Sequence, residues 1–416
     1  MRAVDRDFIE LTRRAINQEY NDDGYFNEAD WNEIHKLAIR NNLSACLLDA
    51  AKKYEGIPET VLKEWETGRV FVFMRQGKHS RDLLSLTQQI SDAGIDYAVF
   101  KGLAIAACYP NPLYRVSSDS DILVDPADRP KVSEMIEERG YTIIPHETKT
   151  DKVYVYENKA TGHKIELHTS VFEDYSGAKI DILKEANIDG PEHRINIDVN
   201  GKMIRTFGVN EHLVYQVFHM IKHFILEGAN VRFFSDITLF INKNIDKIDP
   251  AYFWEWMNRC NYTLFCENFL TLCVRYFGLN EAILAGHKAK AEDSVLEDLL
   301  VDFIYQGDAD ELRGKSWQLT ATMQPYLVGD RTTVKKSKTG RLVRYIFPLP
   351  DELNEDYGYA KKVPVLLPAA WIHRAVHKLI WQLCRREDEN YTGMQKVEVV
   401  ENRLGLLGSV GLLDEE

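Results

Sequence analysis

The chain has 416 residues, of which 45% are hydrophobic and 28% charged, an ordinary globular composition at a length that suits two or three domains better than one core. A formal net charge of −13 argues against a general nucleic-acid binder, because phosphate backbones are held chiefly by clustered Lys and Arg. The charged N-terminal run Met1 to Asp7 lacks the apolar core of a signal peptide, and no apolar run approaches the ~20 residues of a membrane span, so a soluble, cytoplasmic protein with no membrane partner is expected.

Residues 1–92 read as helical. Asn27 and Asn42 are the expected N-caps, and Thr60 to Asp92 carries apolar residues at helical spacing. This region offers no chemistry of its own and is expected to form a packing layer. Six cysteines, Cys46, Cys108, Cys260, Cys266, Cys273 and Cys384, contain no Cys-x-x-Cys pair, so reduced, buried thiols are expected and a zinc knuckle or redox motif is not.

From 93 to 207 the pattern changes to short strands. Ile95 to Phe100 is β-branched and aromatic and runs into Lys101-Gly102, where a glycine lets the backbone approach a phosphate closely. Asp119-Ser120-Asp121 then opens the apolar run Ile122-Leu123-Val124. On a strand, residues i and i+2 share a face, so the two carboxylates project together with backbones about 6.6 Å apart, within reach of a pair of divalent ions. Ile122 and Val124 would anchor the opposite face. Ala127 to Arg139 reads as a helix, and Tyr141 to Pro145 and Lys152 to Glu157 as strands. Lys164 to His168 alternates so that Lys164, Glu166 and His168 share a face, which supplies a third carboxylate. Arg194 to Phe207 is a hairpin turned by Asn200-Gly201. The expected fold class is α+β, a small mixed sheet with helices, flanked by helical regions at both ends.

On these residues the chain resembles the nucleotidyltransferase superfamily with the polymerase-β-like fold, and within it a large, mostly uncharacterised bacterial group whose sequences carry Lys-Gly, then an arginine, then Asp-x-Asp. The matching residues are Lys101, Gly102, Arg115, Asp119, Asp121 and Glu166, and the likeness extends in weaker form from about residue 80 into the C-terminal region. Two positions depart from the superfamily pattern. Lys101-Gly102 stands where Gly-Ser is usual, and Ser120 replaces an aliphatic residue between the aspartates.

From 208 to 310 helices return. Asn210 is the expected cap of Glu211 to Glu227, with Gly228 closing it; His219 and His223 lie at i, i+4 on this helix, and Arg232 and Asp236 at the same spacing on the next. His223, Arg232 and Asp236 match a His and an Arg…Asp pair that recur in the resembled group. A buried network bracing the helices against the nucleotide cleft and direct substrate contact are both open for them. In the final region, 311–416, Arg331 to Arg344 is basic throughout and reads as a solvated loop or as a lid over triphosphate. Asp351 to Asp356 is acidic, a proline-punctuated loop follows, and Trp371 to Arg386 reads as a helix.

The resemblance implies a metal-dependent enzyme that moves a nucleoside monophosphate from an NTP, with ATP the expected donor, to a hydroxyl of a small molecule or peptide. Asp119, Asp121 and Glu166 would be the catalytic and metal-binding residues, bridging two Mg²⁺ or Mn²⁺ ions. Lys101, Gly102 and Arg115, with His223, Arg232 and Asp236, are the candidate nucleotide-binding set. Lys101 could instead be a surface lysine, Arg115 a partner for the carboxylates, and His168 a packing residue. The rivals are a binding module of the same fold without turnover, and a metal phosphohydrolase using His219, His223 and Asp236.

Overall fold

In the computed structural model, residues 1–20, 23–145, 152–172, 178–226, 228–306, 347, 350, 357–374 and 404–413 are described. The basic run 331–344, the acidic run 351–356 and Cys384 lie outside them.

Four helices precede the first strand: α1 (Ala3–Asn17), α2 (Trp31–Arg40), α3 (Ser44–Ala51) and α4 (Glu59–Asp92). α2 is capped by Asp30, whose side chain accepts from the Glu33 N–H at 3.1 Å, and not by Asn27. Nor does Asn42 cap α3: Leu43 occupies that position, and Asn42 takes the left-handed conformation that ends the preceding turn (φ 57°). The 34-residue α4 is about 50 Å long. Its first turns bury Val61 and Trp65 against the N-terminal helices, and its last turns bury Leu83, Leu86 and Ile90 under the sheet.

The sheet contains β1 (Tyr97–Phe100), β2 (Asp119–Val124), β3 (Thr142–Ile143), β4 (Val153–Asn158) and β5 (His163–His168) in the order β1-β2-β5-β4-β3. Only β2 and β5 run parallel; the other neighbours are antiparallel. This is the expected small mixed sheet in an α+β protein. Strand alternation divides its two faces cleanly. Tyr97, Val99, Ile122, Val124, Ile165 and Leu167 pack with α4 and with α6 (Arg129–Glu137), whereas Ala98, Phe100 and Leu123 join a larger core on the other side. Between β1 and β2 lies the short helix α5 (Gly102–Ala106).

A short helix α7 (Ala178–Glu185) leads to the hairpin β6 (Ile195–Val199) and β7 (Lys202–Thr206), which forms its own two-stranded sheet and packs beside β1. Its turn has φ 54° at Asn200 and 77° at Gly201, as a type I′ turn requires. Gly201→Ala is expected to cost about 1 kcal/mol, read as a lower urea midpoint, because alanine must adopt positive φ there.

The larger core is built by α8 (Val209–Leu226), α9 (Arg232–Asn244), α10 (Pro250–Arg259), α11 (Thr263–Phe277) and α12 (Asp293–Tyr305) together with α1 to α3. Phe234 is fully buried there, stacked on Phe269 and Phe277 at ring separations of 4.3 and 4.7 Å. Asn210 sits inside the first turn of α8 and accepts from the Asp249 N–H at 2.8 Å, so it does not cap that helix. Near the C-terminus, Leu404, Leu407, Val410 and Leu412 pack into the same core. The expected proline-punctuated loop is instead a helix, Gly358–Lys362, then a 3₁₀ turn, Pro364–Leu366, and 367–374 is helical, so the helix expected from Trp371 begins earlier. Cys46, Cys108, Cys260, Cys266 and Cys273 are free thiols, and burial raises the pKa of each.

Candidate active site

The parallel register places Asp121 directly abreast of Glu166, and Asp119 abreast of Lys164. Side chains abreast on parallel strands share a face, so Asp119, Asp121, Glu166 and His168 lie on one side of the sheet, the side that looks toward α8. Oxygen and nitrogen atoms of Asp121, Glu166 and His168 lie within 4.8 Å of one another. His168, which the sequence left open as a packing residue, is wholly inside this cluster. Its Nε2 is 3.2 Å from Asp121 Oδ1 and 3.4 Å from Glu166 Oε2.

The other neighbour of β2, the antiparallel β1, brings in Lys101. Phe100 pairs with Asp121, and the chain then turns so that Lys101 Nζ reaches Asp121 Oδ1 at 2.7 Å. Lys101 adopts φ 62°, ψ −147°, a conformation that costs a non-glycine residue about 1–3 kcal/mol. Gly102 follows at φ 30°, with Ser117 Oγ 3.6 Å and the Asp119 carbonyl 3.7 Å from the place a Cβ would take.

Burial and charge set the protonation of these groups. Burial pushes the Asp121 pKa up, but the Lys101 ammonium and the His168 hydrogen bond outweigh it and hold the carboxyl below its ordinary value. Asp119 is raised, by burial and by the neighbouring Asp121 charge, against partial relief from Lys101. Burial alone would lower Lys101; the Asp121 carboxylate, with Tyr215, Glu166 and Asp119, holds it well above its ordinary value. His168 is likewise raised against burial by its bonds to Asp121 and Glu166. Asp121 is 1% exposed, and its Oδ2 has no hydrogen-bond partner among the described residues.

Arg115, Arg232 and Asp236 meet beside this cluster. Arg115 donates to both oxygens of Asp236, at 2.9 and 3.0 Å, and to the Gly102 carbonyl at 3.2 Å. Tyr109 donates its hydroxyl to Asp236 Oδ1 at 2.7 Å. Arg232 donates to the Val116 carbonyl in the loop leading to β2. These bonds tie α9 to the loop that carries the aspartates. His223 is further out: it packs edge-on against His219, with centroids 4.5 Å apart, and beside Phe233. No third His, Cys, Asp or Glu ligand atom among the described residues converges on His219 and His223.

The sequence reading missed the opposite face of β2. There Ser120 Oγ is 2.9 Å from His163 Nε2, and His163 Nδ1 is 2.7 Å from the Tyr141 hydroxyl, which donates in turn to Asp82 on α4. His79 stacks on His163 at 3.9 Å and 15°. Ser120 therefore holds β2 to β5 from behind, which gives the serine between the aspartates a structural reason. The one signal in the sequence was that polar residue where an aliphatic one is usual.

Burial, with a smaller push from Arg75 on His79 and from His79 on His163, lowers both imidazoles from 6.5 to about 4. In the unfolded chain both bind protons near pH 6.5, so their contribution to stability is complete above that pH and is lost as pH falls through about 4. Urea unfolding at about pH 7.5 and about pH 4.5 should show a loss on the order of a few kcal/mol, and His79→Phe should flatten it.

Two recesses open beside the carboxylates. One is bordered by Gly102, Ser117, Asp119, Ser120, His79 and His163; the other by His168, Phe172, Tyr215, Phe218, His219 and Lys222. No helix among the described residues is long and apolar enough to cross a membrane.

A comparison with curated proteins finds no match. Among solved structures, an antigenic nucleotidyltransferase-like protein from Paracoccidioides brasiliensis aligns with 49% of this chain and 94% of its own at 14% identity and a TM-score of 0.31. A family model described as uncharacterised nucleotidyltransferase matches residues 27–278, which run from the turn before α2 through the sheet, the carboxylates and the Arg115 and Asp236 pair to the end of α11. That match spans well over half of the chain, and the chain belongs to this nucleotidyltransferase family.

Proposed function

We propose that the protein transfers a nucleoside monophosphate from a nucleoside triphosphate, with ATP the expected donor, to a hydroxyl of a small molecule or peptide, releasing pyrophosphate. The observation that carries this reading is that Asp119, Asp121 and Glu166 share a face across two parallel strands, with one buried oxygen of Asp121 that has no partner among the described residues.

The donor set suits a hard divalent cation such as Mg²⁺ or Mn²⁺, because carboxylate oxygens predominate and Asp121 Oδ2 is an orphaned acceptor among the described residues. Asp119, Asp121 and Glu166 would hold it, and a bound ion there supplies charge neutralisation for the phosphates and acidifies the acceptor hydroxyl. Glu166, its side chain 27% exposed, would accept the hydroxyl proton. The acceptor oxygen then bonds to the α-phosphorus as the bond to the β-phosphate oxygen breaks. Lys101 and Gly102 would contact the phosphates, with the glycine allowing close backbone approach. Arg115, Arg232 and Asp236 would fix the loop before β2, and His223, beside His219 on α8, would border the nucleotide or acceptor.

The test is incubation with ATP labelled at the α- or the γ-phosphate and fractions of hydroxylated small molecules and peptides. Transfer of the α-label with pyrophosphate release is the expected result. Release of γ-label as orthophosphate, with a transition metal in the purified protein, would favour a phosphohydrolase instead.

A further inference from the structure

We infer that Gln76, on the N-terminal helix α4, is a positioning residue for Asp119: its side-chain amide clamps the Ser117 backbone, and Ser117 in turn orients the carboxylate. This rests on the proposed function above, in which Asp119 is a metal-binding residue. It gives the N-terminal region, expected from the sequence to be a packing layer, a part in the site.

Along α4 the core contacts stop at Trp65 and resume at Leu83. Between them the buried residues are Gln76 and His79, both polar, while Val70, Phe71 and Met74 are exposed. This stretch of helix holds the loop before β2 and fills no core. Phe73, Gln76 and His79, spaced three apart on one helix face, meet Tyr114, Ser117 and, through His163, Ser120. Gln76 is 5% exposed; its Nε2 donates to the Ser117 carbonyl at 2.8 Å, and its Oε1 accepts from the Ser117 N–H at 3.2 Å. The amide thus holds both backbone groups of one residue, as a paired strand would. The Ser117 hydroxyl donates to the Asp119 carbonyl at 2.9 Å and lies 3.3 Å from Asp119 Oδ1. It also stands 3.6 Å from the place a Gly102 Cβ would take, so the position of Ser117 sets the room beside that glycine. Without Gln76, two backbone groups lose their partners, and the loop must shift to satisfy them, taking the hydroxyl away from Asp119.

The probe is Mn²⁺ alone, titrated by calorimetry into the full chain as wild type, Gln76→Met, Ser117→Ala and the double variant. Gln76→Met keeps the side-chain length and removes both bonds. It should weaken Mn²⁺ binding about tenfold or more, as loss of a group that orients a metal ligand does, and hydrogen exchange at the Ser117 amide should quicken. Ser117→Ala should cost a similar factor, and the double variant should bind about as weakly as either single one, because both substitutions cut the same path to Asp119. A residue that merely packs would change the unfolding midpoint and leave the Mn²⁺ affinity of the folded protein where it was. That result for Gln76→Met, or effects of the two substitutions that multiply, overturns the inference. Should Gln76→Met fail to fold, Ser117→Ala decides: wild-type affinity in that variant overturns the inference, and a tenfold loss supports it. Failure of the wild type to bind Mn²⁺, or binding retained by an Asp119→Ala, Asp121→Ala variant, overturns the metal centre and the inference with it, whereas the Gln76 and Ser117 results bear on the inference alone.

Discussion

Asp121→Asn is expected to lower nucleotidyl transfer by about 10³-fold or more, whatever the acceptor, while leaving the fold intact. The substitution is nearly isosteric; it removes the charge and turns one acceptor oxygen into a donor. That charge sits at the centre of the site: it receives Lys101 on one side and His168 on the other, and Glu166 stands abreast of it. An amide at this position can still accept one hydrogen bond, so folding survives, but it cannot offset the Lys101 ammonium or bind a hard cation with useful strength. Initial rates of α-label transfer, with circular dichroism to confirm folding, measure the effect. A variant that retained more than about a tenth of wild-type rate would mean that the chemistry lies elsewhere.

The largest expected effect on stability is at Asp236. Arg115 and Asp236 are both buried, and Asp236 accepts two hydrogen bonds from Arg115 and one from Tyr109. Asp236→Ala takes the shared counter-ion from the buried Arg115 and from Arg232, 3.8 Å away, which costs about 3–5 kcal/mol. Joint replacement by Arg115→Met and Asp236→Leu removes both charges and should recover much of that loss, because the penalty comes from an unpaired charge more than from a lost bond. Denaturant unfolding of the single and double variants measures it. Arg115 also donates to the Gly102 carbonyl, so the single variant should weaken nucleotide binding as well.

The strands and their faces were legible because apolar and polar residues alternate along them. Asp119 and Asp121, and separately Glu166 and His168, could be put on common faces by spacing alone. That β2 and β5 are parallel neighbours in a register that sets Asp121 beside Glu166 is a property of the sheet, and no local pattern carries it. The same holds for the bonds that shape the site, since Lys101 to Asp121, Ser120 to His163 and Arg115 to Asp236 span 20, 43 and 121 positions. Helix caps failed for a different reason. Asn is a good cap, but it also tolerates positive φ and serves as a bridging acceptor, and Asn42 and Asn210 are used in those two ways.

Calorimetric titration of a non-hydrolysable ATP analogue, with other NTP analogues in parallel, tests the central claim most directly when run with and without Mg²⁺ on the wild type and the Asp119→Ala, Asp121→Ala variant. The account predicts Mg²⁺-dependent binding that the variant loses. Binding of equal strength in the variant, or no binding of any nucleotide by the wild type, would contradict it and leave the fold as a platform for a partner.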